Sequence, residues 1–323
     1  MTLSAAQRAE LTEQGYVGGH GMDRSPARYV RARTCCARLR SATAHDTPRK
    51  SSRSSGARSV IIERDGERAH LCRITFVFVL LIHGARAFAA PEEVQVYMAE
   101  MNDPGQFGLD VHNSYVFTGH LIDDYPGEQQ SLHRYRITPE LAYGLTHFLE
   151  LGVYLPLATI DRDGQFGVDG VKLRLKFIAP RPPEQQWFYG ANFEIGRVAH
   201  ALDENPYNAE LKGIVGFRSS CWTVAFNANL DFVVSGPVSA AASLELATKI
   251  SHAITRELAL GIETYNGVGL LQSPGHFGSS EQSSFVAVDA SHGTWDLNLG
   301  VGSGYGSNPD RLIVKAIVGV PID

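Results

Sequence analysis

The stretch Val171-Lys172-Leu173-Arg174-Leu175-Lys176-Phe177 is apolar at every odd number and cationic at every even one. A strand sends alternate side chains to opposite faces, so Val171, Leu173, Leu175 and Phe177 share one face while the three cations share the other. The alternation recurs from about residue 107 to the C-terminus. Trp187, Tyr189, Ala191, Phe193 and Ile195 form one apolar face; Trp222, Val224, Phe226, Ala228, Leu230 and Phe232 form another. Trp295, Leu297, Leu299 and Val301 repeat it, as do Leu312, Val314, Ala316, Val318 and Val320. The opposite faces are polar or small, as at Asn192, Thr223, Asp296, Asn298 and Gly300. Behind an export signal, this pattern predicts an all-β fold: a single transmembrane antiparallel up-and-down β-barrel of a bacterial outer membrane.

Alternation and turn signals together predict about twelve strands. They fall near 107–118, 131–143, 148–158, 169–179, 186–197, 208–218, 221–234, 241–253, 257–267, 282–290, 294–302 and 311–321. An even count lets both barrel ends face the periplasm. The long connections would be His120–Gln130, Thr159–Val168, Val198–Tyr207, Ser235–Ala240, Val268–Glu281 and Ser303–Asp310. Long and short connections largely alternate, as extracellular loops and periplasmic turns do. A soluble sandwich also alternates along its strands, but it has no reason to sort its connections by length. Trp187, Tyr189, Trp222, Tyr115, Phe117, Tyr143 and Phe285 lie near strand ends, where an aromatic girdle belongs. Barrels of this type usually finish on an aromatic residue; this chain ends Val320-Pro321-Ile322-Asp323.

Upstream of residue 90 the character changes. Ile74 to Ile82 is an uninterrupted apolar run that follows Arg68 and Arg73 and is closed by Ala87-Phe88-Ala89. A membrane helix needs about 20 apolar residues, so the run is too short to span, and its flanks are those of a secretory signal cleaved before Ala90. Residues 1–70 are rich in Arg, Ser, Ala and Gly without apolar periodicity, a composition that buries no core. The expected organisation is therefore a disordered basic segment over 1–70, a signal peptide over 71–89 and a barrel over 90–323. The first segment reads as an upstream mis-start, with Val60 and Leu71 as candidate true starts.

Charge divides at the same place. Residues 1–89 carry 15 basic and 7 acidic residues, and residues 90–323 carry 14 and 27. The exported part is acidic, which argues against nucleic acid as a partner. Cys35, Cys36 and Cys72 precede the cut, so Cys221 is expected to stand without an internal disulfide. The partners expected of such a chain are outer-membrane lipid and lipopolysaccharide, the barrel-assembly machinery and small-molecule solutes.

The stretch Tyr135-Arg-Ile-Thr-Pro-Glu-Leu-Ala-Tyr-Gly-Leu-Thr146, with Leu149-Glu-Leu-Gly-Val-Tyr-Leu-Pro-Leu157 after it, resembles a hairpin of one family of proteobacterial outer-membrane barrels. These are described as transporters of the MetA pathway of phenol degradation type. The resemblance extends over most of residues 92–323, including Gly170–Lys176 and Val301–Gly306. It implies a barrel that passes small aromatic or hydrophobic molecules. The matching positions are turn and strand residues, so the resemblance carries no functional residue with it.

Chemistry, if any, belongs to the lumen. The strand facing predicts a pore lining of Glu150, Lys172, Arg174, Lys176, Glu194, Glu210, Lys212, Asn227, Asn229, Asp231, Glu245, Lys249, Glu263 and Lys315. Such a mixed-sign interior is either a polar conduit, with the basic ladder favouring anionic solutes, or a salt-bridge mesh that fills the barrel. Enzyme signals are thin. Ser251-His252 and Ser291-His292 are adjacent in predicted strands and so point to opposite faces. The histidines lack metal-site spacing, and Gly300–Gly306 precedes no helix that could receive a phosphate. The expected function is a passive, porin-like channel for small solutes, without cofactor or metal. The alternatives are a closed structural or partner-binding barrel and, behind it, a lipid-modifying enzyme. In the partner-binding alternative, acidic loops at Asp123, Asp124, Glu128, Asp161, Asp163, Asp203 and Glu204 would bind a partner or divalent cations that bridge lipopolysaccharide.

Overall fold

A computed structural model describes residues 93–322. The expected basic segment and signal peptide lie outside the described residues. The strands are β1 (Phe107–Thr118), β2 (Tyr135–Thr146), β3 (Leu149–Ile160), β4 (Phe166–Ile178), β5 (Trp187–Val198), β6 (Tyr207–Arg218) and β7 (Trp222–Ser235). They continue as β8 (Ser243–Ala253), β9 (Leu258–Leu270), the two-residue β10 (Ser273–Pro274), β11 (Glu281–His292), β12 (Trp295–Gly306) and β13 (Leu312–Ile322). Leaving β10 aside, each pairs antiparallel with its chain neighbours, and β1 pairs with β13 to close the ring. The result is a closed twelve-stranded up-and-down barrel, with β10 extending the β9 ladder at the rim. Closure leaves no unpaired edge, and in hydrocarbon each unpaired backbone group costs several kcal/mol.

The long strands run from 11 residues in β8 and β13 to 14 in β7, enough for the roughly 9–11 residues a tilted strand needs to cross a bilayer. Their alternation has the expected hand. Val171, Leu173, Leu175 and Phe177 are exposed, whereas Arg174 and Lys176 are buried. Trp187, Tyr189, Trp222, Trp295 and Phe117 also project outward as part of an apolar outer surface. Phe285 does not. It was expected in the girdle, but it is 2% exposed and packs edge-on against Tyr265 inside the barrel. Phe285-Val286-Ala287-Val288 is apolar at both parities, so alternation alone could not orient it; Val286 takes the outward place.

The expected loops are found with adjusted ends. β3 and β4 extend further than expected and leave only residues 161–165 between them. Asp161 closes that turn by accepting the backbone N–H of Asp163 and of Gln165. At the other extreme, residues 119–134 form one long loop, so 131–134 lie outside β2. Ser131 donates to Asp310 of the β12–β13 connection, and its hydroxyl oxygen accepts from the His120 backbone N–H. The same loop reaches past the short β3–β4 turn to the β5–β6 connection, where Gln129 N–H donates to Ala201 O at 2.8 Å. Cys221, expected to lack a disulfide, is disulfide-bonded.

Candidate functional site

None of the fourteen expected lining residues is exposed. Ten are buried; Lys172, Glu210, Asp231 and Glu245 are half-buried. They do not form the open basic ladder that alternation alone suggested. Arg174 sits between Glu140, at 2.5 Å, and Glu150, at 2.7 Å. Gly152 makes room for this pair, because a side chain there would meet the Arg174 guanidinium at 2.6 Å and Glu140 at 2.8 Å. Across the barrel, Lys249 bridges Glu263 at 3.0 Å and Asp289 at 2.6 Å, and Lys315 pairs with the other oxygen of Glu263. Asn298 donates to both Glu263 and Asp289. Four strands, β8, β9, β11 and β13, are thereby tied through one charged knot, with β12 hydrogen-bonded to it.

The rest of the lumen is taken by the chain itself. Residues 93–103 enter beside β2, where Pro104 makes an isolated bridge with Gly144 and Gly105 N–H donates to Gly144 O at 2.8 Å. Only glycine fits at 144, since a Cβ would stand 2.3 Å from Asp103 O. From there the segment runs inward. Asn102 donates to Glu150 through both its backbone and its side-chain nitrogen. Lys176 caps Glu100 O at 2.7 Å, and Arg218 pairs with the Glu100 carboxylate. Asn227 holds the Tyr97 peptide from both sides, accepting its N–H at 2.6 Å and donating to its carbonyl at 3.0 Å. The Tyr97 hydroxyl meets Tyr154 and Glu194, and the Lys212 ammonium lies 4.0 Å from its ring centre. Lys315 finally reaches Val94 O at 2.8 Å. Val94, Met98, Ala99 and Met101 pack on an apolar lumen wall that includes Phe188, Ile214 and Phe285.

The segment's electrostatics follow from this burial. Burial alone would raise the Glu100 carboxyl, but Arg218 and Lys176 hold it down to about 2. Glu93 moves the other way: burial raises it, and His112 opposes the shift. Burial, with Glu194 and Glu93 beside it, also keeps the Tyr97 phenol neutral well above its ordinary range.

One grouping has no signature in the sequence. His112 on β1 stands between Glu93 of the segment, 3.7 Å from Nδ1, and Glu140 of β2, 3.3 Å from Nε2. The three are close enough to share a metal ion. The two carboxylates face different ring nitrogens, however, and Arg174 already takes the other oxygen of Glu140. The arrangement is better suited to bridging the segment to the wall than to ligating one ion. Residues 93, 112 and 140 sit on three separate elements, so no sequence spacing could reveal it. Of the serine–histidine pairs, Ser251 is buried while His252 packs edge-on against Trp222 with ring centres 4.6 Å apart. Two small cavities flank the segment. One, of about 50 Å³, is lined by Glu93, Lys172, Glu194, Glu210, Lys212, Asn229 and Glu245 among others. The second, of about 40 Å³, includes Arg134, Arg136, Glu281 and Asp310.

No family model matches the chain, and no curated protein matches it. Solved barrels are similar to it. An outer-membrane channel from Pseudomonas putida F1 has 13% identity and a TM-score of 0.49, covering 71% of this chain and 100% of that one. KdgM porin has 10% identity and a TM-score of 0.44, covering 67% and 99%. NanC porin has 9% identity and a TM-score of 0.45, also covering 67% and 99%. Likeness at this level adds nothing to what the geometry already carries: a closed twelve-stranded antiparallel barrel, apolar outside and charged within, as outer-membrane barrels are built.

Proposed function

We propose that this chain is a passive outer-membrane channel for small polar solutes, held shut by its own residues 93–103. What carries the reading is the way the segment is held. Wall side chains satisfy its backbone: Asn227, Lys176, Lys315 and Glu150 meet the peptide groups of Tyr97, Glu100, Val94 and Asn102. The barrel ladder closes without it. If the segment withdraws, the same side chains can solvate water or a polar solute, and no ladder bond breaks. The family resemblance would add aromatic or hydrophobic compounds as cargo, whereas the charged lining supports polar ones. Export through a signal ending at Ala89 belongs to this reading, and so does the absence of covalent chemistry. Protein sequencing from native membranes should find Ala90 first, and phospholipid turnover by the refolded barrel would contradict the non-enzymatic part.

The test is flux. Liposomes holding residues 104–323 should swell in small sugars and amino acids, while those holding residues 90–323 should swell far less. Equal resistance from both, with heat-modifiable migration intact, would favour a closed structural barrel. The knot of Lys249, Glu263, Asp289 and Lys315 is the observation on that side.

A further inference from the structure

We infer that the long-loop end of the lumen carries a subsite for small zwitterions, α-amino acids among them, in which Arg134 takes the carboxylate and Glu281 the ammonium. As a filter it rests on the channel reading above; as a binding site it does not. The smaller cavity lies where the loop that ends at Arg134, the first residue of β11 and the β12–β13 connection meet. Arg134 is 3% exposed, and of its nitrogens only Nη1 has a partner, Gln129 O at 3.1 Å. Nε and Nη2 hydrogen-bond to nothing, and neither is sealed within the wall. These two lie side by side on the guanidinium, the edge that receives a carboxylate through two parallel N–H···O bonds. Among the described residues no carboxylate stands within ion-pair distance of Arg134; Asp310, Glu128 and Asp169 act on it only from beyond. Buried charges are ordinarily paired, so a guanidinium in this state marks a place for an anionic group.

Glu281 is the counterpart on the opposite sign. Half-buried and lining the same cavity, its carboxylate has neither a hydrogen bond nor a cation within ion-pair distance among the described residues. The two groups do not pair with each other. Each stands among like charges instead: Arg136 beside Arg134, and Asp310 and Asp124 near Glu281. A simple anion at Arg134 would leave Glu281 repelling it, and a simple cation at Glu281 would meet the two arginines. A zwitterion answers both ends. The other acids of the cavity are already engaged, Asp310 by Ser131 and Glu245 by Asn229. The volume of about 40 Å³ takes roughly three waters, or the charged head of one amino acid. Of the inserted segment only Val94 lines the cavity, and neither Arg134 nor Glu281 bonds to the segment. Its withdrawal therefore leaves both groups in place.

Two measurements test this, one of them independent of flux. In titration calorimetry, residues 90–323 should bind L-alanine. Propionate and ethylamine, which each keep one of its charged groups, should bind about tenfold more weakly or less, the worth of one charged hydrogen-bonded contact. No binding of L-alanine, or binding no tighter than that of propionate, would overturn the inference, and this series needs no variant to fold. R134Q and E281Q should each lose the preference for L-alanine; a preference unchanged in both would place the ligand elsewhere and overturn the assignment. In flux, liposomes holding residues 104–323 should swell faster in L-alanine than in lactamide, its uncharged near-isostere, and E281Q should abolish the difference. Equal rates in the two solutes would overturn the filter. If neither solute enters, the channel reading fails, and the calorimetry alone decides the subsite.

Discussion

Arg174 shows how far one residue's role depends on its neighbours. Strand alternation turns it inward, and the structure then sets it between two carboxylates at 4% exposure. Removing one member of such a buried group leaves the others uncompensated, at a cost of about 3–5 kcal/mol. Arg174→Ala should lower stability by that order in urea unfolding of the refolded barrel; a loss under about 1 kcal/mol would mean that water already reaches the group. Glu100 gives a pH prediction. A carboxyl held below its free value favours docking above that free value, and the gain is lost as pH falls through the docked one. The Arg218 end of the segment should therefore stay docked from neutral pH into the ordinary carboxylate range and loosen toward pH 2. Glu93, shifted upward, gains from protonation instead. Hydrogen exchange over residues 98–103 should rise as pH falls from about 4.3 to 2, after correction for intrinsic rates. Protection that increases there would contradict the assignment.

At the scale of elements, the strands were legible because each carries its own evidence. In β4, Val171 to Phe177 alternate without a break, and the twelve expected spans coincide with the observed strands to within a few residues. Where both parities are apolar, as at Phe285, that evidence vanishes. The segment over 93–103 was not legible, although Val94, Val96 and Met98 do alternate. Its partners are remote: Tyr97 binds Asn227, 130 positions away, and Lys315 lies 221 positions from Val94. No local pattern encodes a contact of that range. Gly144→Val offers a test that leaves every charge in place. Its side chain would strike the carbonyls of Asn102 and Asp103, so the segment should become protease-sensitive while the barrel keeps its heat-modifiable migration. In the loops, Ser131→Ala should remove the bridge from residues 119–134 to Asp310. Faster cleavage of that loop, with strand content unchanged by circular dichroism, is the expected result.

At the scale of the whole molecule, the barrel divides its labour. One side of the lumen is fastened by the Lys249–Glu263–Lys315 knot, and the other is filled by a segment whose hydrogen bonds a solute could replace. The outer surface is settled by apolar side chains that need lipid, such as Leu173, Trp187 and Val301. On the proposed reading the inserted segment, and not the barrel wall, closes the path. Planar-bilayer recording tests it most directly. Residues 104–323 should give reproducible unitary steps well above any seen with residues 90–323, and a synthetic peptide of residues 90–103 should reduce them. Identical silence from two properly folded barrels, or identical steps from both, would contradict the claim.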